Sequence, residues 1–320
     1  TELAISESQE RMAVVIEAHE KEKFIKFCEA ENIKAVEVAK VTDSGRMQMF
    51  WNGQKIVDLS RAFLDTSGCA KKQDAKISHL QEVNSKSIEF NEDNFYKILA
   101  EKNTASQKGL VEMFDSTVGA TTVALPFGGK YQTTETEGCV QTLPILNAEN
   151  IETVSYASWG FDAEISKQNS MIGASLAVVE SVAKIVAMGG NFRNIRLSFQ
   201  EYFEKLGNNP EKWGKPLASL LGAYDAQINL GLAAIGGKDS MSGTYQDINV
   251  PPTLISFACA DGKKLNTISP EFKKSGNFIY HFHHKTQENG LPNYENLIEV
   301  FDYIQQGIQD KKIVSVKTIK

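Results

Sequence analysis

The sequence predicts a mixed α+β and α/β fold, and three observations support that prediction. The chain has 320 residues, 42% of them hydrophobic and 23% charged, which is the balance of a folded globular protein. Near the start, an amphipathic helical pattern is followed by strand patterns, two of them joined by Asn52-Gly53. Farther along, residues 168–188 form a helical pattern that is apolar almost all round and lies among further strand patterns. A helix that is apolar on every side is usually buried, so a core of helix against sheet is expected.

Residues 1–65 are expected to form a first unit of helix and antiparallel strands. A buried strand is predicted at residues 12–16, and a helix at residues 21–31 with Phe24, Phe27 and Cys28 on one face. Asn52-Gly53 predicts a hairpin because both positions of such a tight turn need a positive φ. The strand patterns lie at residues 35–41, 47–51 and 55–59.

The remaining chain is expected to fall into a polar connection and two further units. Residues 66–115 are rich in Lys, Glu and Asn and are predicted to be a linker with a short helix near 91–102. Residues 116–262 are predicted to hold the buried helix, a second helix at 217–229, and strands at 132–145, 232–235 and 253–260. Residues 263–320 are predicted to open a third unit, with strands at 277–284 and 313–316 and a helix at 294–308.

Charge and cysteine content exclude several function classes. The formal charge is -6 and no long basic run occurs, which argues against nucleic-acid binding as a primary role. The four cysteines are widely separated, which predicts reduced thiols in a cytoplasmic protein rather than a zinc site or a disulfide framework. No apolar run approaches ~20 residues and no signal peptide pattern opens the chain, so no membrane contact is expected. Since the chain starts at Thr1 and stops in a strand-like run, we expect it to be a piece of a longer protein.

The sharpest local feature is the run Gly236-Gly-Lys-Asp-Ser-Met-Ser-Gly243, which follows a short apolar strand pattern. Small residues, backbone N–H groups, one cation and two hydroxyls suit close approach to phosphate. The run lacks the spacing of a Walker A loop, because Leu232 stands where its first glycine should be. An Asp beside a Lys could instead hold Mg²⁺, and the alternative to both is a tight turn without a ligand.

Three other polar groups leave their roles open. The run Ser6-Glu-Ser-Gln-Glu-Arg11 could hold a polar ligand or be a solvated loop. Glu180 and Lys184 stand four residues apart on the apolar helix. They could form an internal salt bridge, or Glu180 could be a metal ligand. His281 and His283 would share one face of a strand, but no third and fourth ligand is evident, so no structural metal is predicted there. Hydrolase chemistry is disfavoured because no Gly-x-Ser-x-Gly occurs.

Four motifs in this order resemble the phosphoribosylformylglycinamidine synthase family. They are Ser6-Glu-Ser-Gln-Glu-Arg-Met12, Gly222-Ala-Tyr-Asp-Ala-Gln227, Gly236-Gly-Lys-Asp-Ser-Met-Ser242 and Val250-Pro-Pro-Thr-Leu254. The resemblance spans nearly the whole chain and points to a middle piece of the synthetase region of the large single-chain form. It implies an ATP-dependent carbon–nitrogen ligase of purine biosynthesis, which converts formylglycinamide ribonucleotide to its amidine with glutamine-derived ammonia.

The resemblance also implies a fold and a domain plan. The family's synthetase region is similar to a tandem duplication of the aminoimidazole ribonucleotide synthetase fold, each half having a small α/β subdomain and a larger α+β subdomain. Residues 1–65 would then end the first half, and residues 66–115 would link the halves. Residues 116–262 would be the small subdomain of the second half, and residues 263–320 would begin its larger subdomain. The expected partners are ATP, formylglycinamide ribonucleotide, and the first synthetase half and glutaminase domain of the same polypeptide.

The resemblance assigns site residues, none of them catalytic in this stretch. Glu7, Ser8 and Gln9 would bind the ribonucleotide. Gly237, Lys238 and Ser240 would bind nucleotide, and Glu180 and Asp239 would bind Mg²⁺.

Two positions depart from the metal-binding pattern of the family. Lys184 stands where an Asn is expected, and Gly138 stands where an acidic residue is expected. These departures favour one alternative, a duplicated half that acts as a scaffold or auxiliary nucleotide-binding module. A second alternative is another ATP-using member of the same superfamily, such as a small-molecule kinase, and the occurrence of both Ser6–Arg11 and Gly236–Ser242 in one chain argues against it.

Overall fold

A computed structural model describes residues 11–66, 72–78, 80–83, 88–102, 104–145, 147–148 and 150–319. The chain divides into two compact units, Thr1–Lys72 and Gln73–Lys320, which we describe separately.

The first unit contains a helix and a hairpin. Helix α1 spans Lys21–Ala30, strands β1 and β2 span Arg46–Trp51 and Gln54–Ser60, and the short helix α2 spans Arg61–Asp65. Asn52 and Gly53 take φ values of 47° and 77°, which confirms the predicted turn. Two predicted strands are wrong: residues 12–16 and 35–41 pair with no strand among the described residues, and Met12 and Val38 are exposed.

The second unit is built on a six-stranded sheet. Its helices are α3 (Glu92–Ala100), α4 (Lys108–Val111), α5 (Ala163–Gln168), α6 (Ser170–Ala187), α7 (Pro210–Leu230) and α8 (Tyr294–Gln309). The sheet strands are β3 (Thr122–Ala124), β6 (Cys139–Thr142), β7 (Thr153–Gly160), β8 (Arg196–Tyr202), β9 (Ala233–Lys238) and β12 (Thr253–Lys263). Two small hairpins are β4–β5 (Phe127–Gly128 and Thr134–Glu135) and β10–β11 (Thr244–Tyr245 and Ile248–Asn249). The strands lie in the order β3-β6-β7-β12-β8-β9 across the sheet. All pairings in the sheet are antiparallel except β8 with β9, which are parallel and joined through α7.

Helices α6 and α7 pack on one face of the sheet, and their ends follow from local sequence. Asn169 caps α6 by accepting a hydrogen bond from the Ile172 N–H at 3.0 Å. Asn209 caps α7, and Pro210 occupies its first turn, where a missing N–H costs nothing. Gly231 ends α7 with φ 67°, as glycine commonly does beyond a helix C-terminus.

Small residues bring α6 close to the sheet and to α7. The Ser158 hydroxyl donates to the Ser181 carbonyl at 2.6 Å, and the Ser181 and Ser256 hydroxyls lie 2.9 Å apart. The core that results joins sheet, α6, α7 and α8. Its largest fully buried side chains include Tyr156, Phe192, Ile185, Leu197 and Leu254.

Helix α6 is also the one described helix that is long and apolar enough to cross a membrane, and 72% of it is buried within the protein. Burial of this extent is the situation of a core helix, which agrees with the prediction from its apolar surface.

The opposite face of the sheet carries aromatic residues in contact with solvent. By the alternation of the strands, Trp159, Tyr202 and Phe257 point away from the helix layer, and they are 50%, 38% and 44% exposed. Cys139 and Cys259 lie on the same face, both in register with Ala157 on the strand between them.

Several predicted boundaries differ from the structure. The strands predicted at 277–284 and 313–316 are wrong, since these residues carry no strand, while the helix predicted at 294–308 is confirmed as α8. The stretch 132–145 is interrupted between β5 and β6. Strands β7 and β8 were not predicted.

Two described residues of the stretch predicted to be a linker, residues 66–115, contact helices of the second unit, to which they themselves belong. The Lys76 N–H donates to the Pro210 carbonyl at 2.8 Å, and the Gln81 N–H donates to the Gln168 carbonyl at 3.2 Å. The predicted short helix is confirmed as α3, capped by the Asn91 side chain.

Candidate functional site

The run Gly236–Gly243 continues the course of β9 beside β8 and then turns back. Gly237 pairs with Phe199, and Lys238 pairs with Gln200. A Cβ on Gly237 would stand 2.2 Å from the Phe199 carbonyl oxygen, so a glycine is required where the two backbones meet. The structure therefore confirms that this run begins at a strand end.

Beyond the strand, the run keeps hydrogen bonds to β8 and the residues after it. The Ser240 N–H donates to the Glu201 carbonyl at 3.2 Å, and the Phe203 N–H donates to the Ser240 carbonyl at 2.9 Å. The Gly243 N–H donates to the Phe203 carbonyl at 2.9 Å. Two of the N–H groups expected to face phosphate are thus engaged within the protein. The polar residues of this loop that are exposed are Lys238, Asp239 and Ser242. The half-buried Ser240 places its hydroxyl 2.8 Å from that of Ser242.

Two motifs that are separate in sequence meet at this loop. The Val250 N–H donates to the Gly243 carbonyl at 2.9 Å, so Val250-Pro-Pro-Thr-Leu254 returns against the end of the glycine-rich run. A Cβ on Gly243 would lie 2.3 Å from a methyl group of Val250. Leu254 then enters β12 as a buried residue.

A buried carboxyl group lies beside the loop, and the sequence did not predict its role. The register of β8 and β9, continued by one residue, places Glu201 next to Asp239 on the helix face of the sheet. Glu201 is only 7% exposed, and its Oε1 has no hydrogen-bond partner among the described residues. Burial, with the nearby charge of Asp239, raises the pKa of Glu201 to about 7. The alternation of Leu197, Phe199 and Glu201 would have indicated this residue had β8 been predicted.

Glu180 and Lys184 form an ion pair at the end of β7. The Lys184 ammonium donates to Glu180 Oε1 at 2.8 Å and to the Trp159 carbonyl at 2.9 Å, and it lies 4.6 Å from the centre of the Trp159 ring. Glu180 Oε2 accepts from the Phe161 N–H at 3.1 Å. Both side chains are 15% exposed, which is the geometry of the internal salt bridge that the sequence left open.

The donor set around Glu180 does not fit a divalent cation. Both carboxylate oxygens accept hydrogen bonds, and one is shared with an ammonium. Asp239 lies beside Glu201 instead. Within the described part of the chain, no three His, Cys, Asp or Glu side chains come together as a metal site would require.

The motif Gly222-Ala-Tyr-Asp-Ala-Gln227 holds helices together. A Cβ on Gly222 would stand 2.0 Å from the Met171 carbonyl oxygen, and the Ser175 hydroxyl donates to the Gly222 carbonyl at 3.0 Å. Asp225 accepts a hydrogen bond from the Tyr294 hydroxyl at 3.0 Å, which ties α8 to α7. Gln227 accepts from the Ala234 N–H at 2.9 Å, which ties α7 to β9.

Two of the predictions made from the sequence are not tested by the structure. Glu7, Ser8 and Gln9 lie outside the described residues, so their role as ribonucleotide ligands stays a prediction. His281 and His283 have ring centres 5.9 Å apart in a stretch without regular structure. Metal analysis of the purified chain tests the expectation that they hold no zinc, which a stoichiometric amount at these residues would contradict.

Comparison with protein families and curated proteins gives two kinds of match. Residues 1–52 match the family described as AIR synthase related protein, C-terminal domain. The phosphoribosylformylglycinamidine synthase subunit PurL of Streptomyces avermitilis is 25% identical over 265 residues, which are 79% of this chain and 33% of that protein. The same subunit of Campylobacter jejuni is 22% identical over 98% of this chain and 40% of the relative. The chain thus spans about a third of the length of these curated relatives.

Solved structures share the fold. The PurLQS structure from Thermotoga maritima superposes with a TM-score of 0.67 at 19% identity, covering 97% of this chain and 46% of that one. A T. maritima PurL structure in complex with FGAR gives a TM-score of 0.66 at 19% identity, covering 97% and 44%. The mixed α/β fold with its six-stranded sheet is therefore the fold of these proteins. On the sequence matches, the chain is related to phosphoribosylformylglycinamidine synthase subunit PurL of the AIR synthase superfamily, at about 25% identity over most of its length.

Proposed function

We propose that this chain is part of an ATP-dependent amidotransferase that converts formylglycinamide ribonucleotide to formylglycinamidine ribonucleotide with glutamine-derived ammonia, in purine biosynthesis in the cytoplasm. The observation that carries the proposal is the alignment with PurL proteins over 79% to 98% of the chain. T. maritima PurL structures with ATP and with FGAR have the same fold, which supports ATP and the ribonucleotide as ligands.

In this reaction the chain would supply binding groups. ATP would phosphorylate the amide oxygen of the substrate, ammonia would displace the phosphate, and fixed donors would hold the charge that develops. In this loop the Lys238 ammonium and the hydroxyls of Ser240 and Ser242 are the side-chain donors that suit a phosphate. Glu7, Ser8 and Gln9 would contact the ribonucleotide. Mg²⁺, where ATP brings it, would neutralise phosphate charge.

The open face of the sheet supports the proposed partners. Exposed apolar patches mark interaction surfaces, and this face carries one, formed by Trp159, Tyr202 and Phe257. In the proposal, the first synthetase half of the same polypeptide would cover it. We propose the domain plan given above on the same grounds, with residues 1–65 closing the first half, 66–115 linking the halves, and 116–262 and 263–320 belonging to the second. The match of residues 1–52 to an AIR synthase related C-terminal domain supports the first assignment. We propose that the complete protein is of the large single-chain form, on the basis of the Gly236–Ser242 motif.

One observation favours a second candidate function. Glu180 is bonded to Lys184 and Gly138 has no carboxylate, so a metal-dependent auxiliary nucleotide site lacks its ligands. The second half would then buttress the first as a non-catalytic scaffold, or bind nucleotide without a metal.

Two measurements test the proposal. The complete protein that carries this chain should form the amidine from formylglycinamide ribonucleotide, ATP and glutamine. This chain alone should form none, even with ammonium salts in place of glutamine, because the family resemblance assigns the catalytic residues and the glutaminase domain to other parts of the polypeptide. Failure of the complete protein would reject the ligase function, and turnover by the chain alone would reject the assignment of catalysis to other segments.

Isothermal titration calorimetry of this chain with a non-hydrolysable ATP analogue distinguishes a nucleotide-binding module from a non-catalytic scaffold. Binding that Lys238→Met abolishes supports a nucleotide site at the loop, and no binding supports the scaffold.

A further inference from the structure

The Lys184 ammonium is fixed in a pocket of acceptors. It donates to Glu180 Oε1 at 2.8 Å and to the Trp159 carbonyl at 2.9 Å, beneath the face of the Trp159 ring. The ammonium therefore brings one positive charge to the carboxylate and satisfies the Trp159 carbonyl, one residue before the end of β7. These are the tasks that a bound cation performs at a carboxylate site.

Room for a further ligand is missing on the neighbouring strand. A Cβ on Gly138 would stand 2.3 Å from the Ala157 carbonyl oxygen and 2.9 Å from the Met188 methyl group. A carboxylate at this position would require β6 and β7 to separate. The nearby Glu137 is turned elsewhere, where it accepts hydrogen bonds from Thr318 and pairs with Lys317 at 2.8 Å.

We propose that the Lys184 ammonium takes the place of a metal ion, so that no divalent cation binds at Glu180 in this protein. A magnesium ion bound to Oε1 would sit about 2.1 Å from that oxygen, hence within about 5 Å of the ammonium, and the two positive charges would repel each other. Magnesium also demands near-octahedral oxygen ligands, and the absence of space at Gly138 removes one source of them. Lys184 thus links the end of β7 to Glu180, and we expect added divalent cations to leave this contact unchanged. This inference does not depend on the proposed ligase activity.

The test counts bound Mn²⁺ on the 320-residue chain by the loss of its free electron paramagnetic resonance signal. Manganese takes the oxygen ligands that magnesium takes. The parent protein is compared with Glu180→Gln, Asp239→Asn, Lys184→Asn and the matched control Lys184→Arg, each checked for folding by circular dichroism.

Four results support the proposal together. The parent and Glu180→Gln bind the same number of Mn²⁺ ions. Lys184→Asn binds one ion more than the parent, and the double variant that carries both Lys184→Asn and Glu180→Gln loses that ion again. Lys184→Arg binds no additional ion. Any ion held by Asp239 disappears in Asp239→Asn and is counted apart.

Three results would overturn it: loss of a Mn²⁺ ion in Glu180→Gln, a folded Lys184→Asn without a gain, or a gain in Lys184→Arg. If Lys184→Asn does not fold, the comparison of parent with Glu180→Gln and with Lys184→Arg still decides.

Discussion

Glu201 couples the stability of the second unit to pH. Its folded-state pKa of about 7 is above the ordinary value of 4.5, because burial and the nearby Asp239 disfavour the charged form. The folded state therefore holds the proton more tightly than the unfolded state. Stability is greatest below pH 4.5 as far as this group is concerned, and it falls as pH rises from about 4.5 through about 7.

We expect Glu201→Gln to remove this loss and to be more stable than the parent at pH 8, by up to about 3 kcal/mol. Urea unfolding of both proteins at pH 5 and pH 8 gives the comparison. The exposed Glu299→Gln serves as control and should follow the parent. A Glu201→Gln variant with the pH dependence of the parent would contradict the prediction.

Gly237 is required for the approach of β9 to β8. Because an added Cβ would stand 2.2 Å from the Phe199 carbonyl oxygen, Gly237→Ala should destabilise the protein by about 1–3 kcal/mol. Thermal unfolding measures this change. Gly109→Ala is the matched control, since a Cβ there meets nothing within 4 Å, and it should be neutral or slightly stabilising. Equal effects of the two substitutions would argue against a steric role for Gly237.

Gln9 is expected to contact the ribonucleotide in the complete protein. Its amide offers two donors and an acceptor, and loss of a partner for a desolvated polar ligand group costs about 1–3 kcal/mol. Gln9→Ala should therefore raise the Michaelis constant for the ribonucleotide by roughly 5- to 150-fold and change those for ATP and glutamine much less. Steady-state kinetics distinguishes this from a solvated loop, for which the change stays within about 0.5 kcal/mol.

At the scale of the elements, the α6–α7 contact depends on Gly222. A Cβ at this position would stand 2.0 Å from the Met171 carbonyl oxygen, so Gly222→Ala must push the two helices apart. We expect a loss of about 1–3 kcal/mol in the free energy of unfolding, although alanine is the better helix former. A denaturation curve with an unchanged midpoint would show that the contact tolerates a methyl group.

Local patterns predicted the helices better than the strands, for a physical reason. A helix satisfies its own backbone, so the apolar surface of α6 and the face of α8 were sufficient to find them. A strand needs a neighbour, and the apolar stretches at 35–41 and 277–284 have none within the part of the chain that the structure describes. Strand β7 was not predicted because its buried face carries serine and glycine beside Val154 and Tyr156, which interrupts the alternation of apolar residues. The small size of the serine and glycine lets α6 approach, a constraint that only the assembled fold reveals.

The parts of the candidate site that are continuous in sequence could be predicted, and the parts that depend on strand pairing could not. The glycine-rich run was identified from its small residues, and its place at a strand end was expected. The contact of Val250 with Gly243 and the placement of Glu201 beside Asp239 depend on strand register. Register brings together residues that are far apart in the chain, and the sequence alone does not supply it.

At the scale of the whole molecule, the exposed sheet face makes a prediction about thiols. Cys139 and Cys259 are exposed on that face, on either side of Ala157. Both should react readily with a maleimide in this chain alone and be protected in the complete protein, where the first half is proposed to cover them. Cys28, which is half-buried on α1, provides an internal reference. Mass spectrometry of labelled peptides gives the result, and equal labelling of both forms would place the interface elsewhere.

The central position of β12 determines when this sheet can be completed during synthesis. β12 lies between β7 and β8, yet it is the last of the six strands to be made, roughly a hundred residues after β7 ends. At about 5–20 residues per second, a ribosome needs about 5–20 s to cover that distance. The unpaired edge of β7 is exposed from the synthesis of Gly160 onward, and that of β8 from the synthesis of Tyr202 onward, until β12 emerges. Both are edges that can join other chains. Chaperone protection of the emerging polypeptide should therefore matter most between the synthesis of Gly160 and that of Lys263.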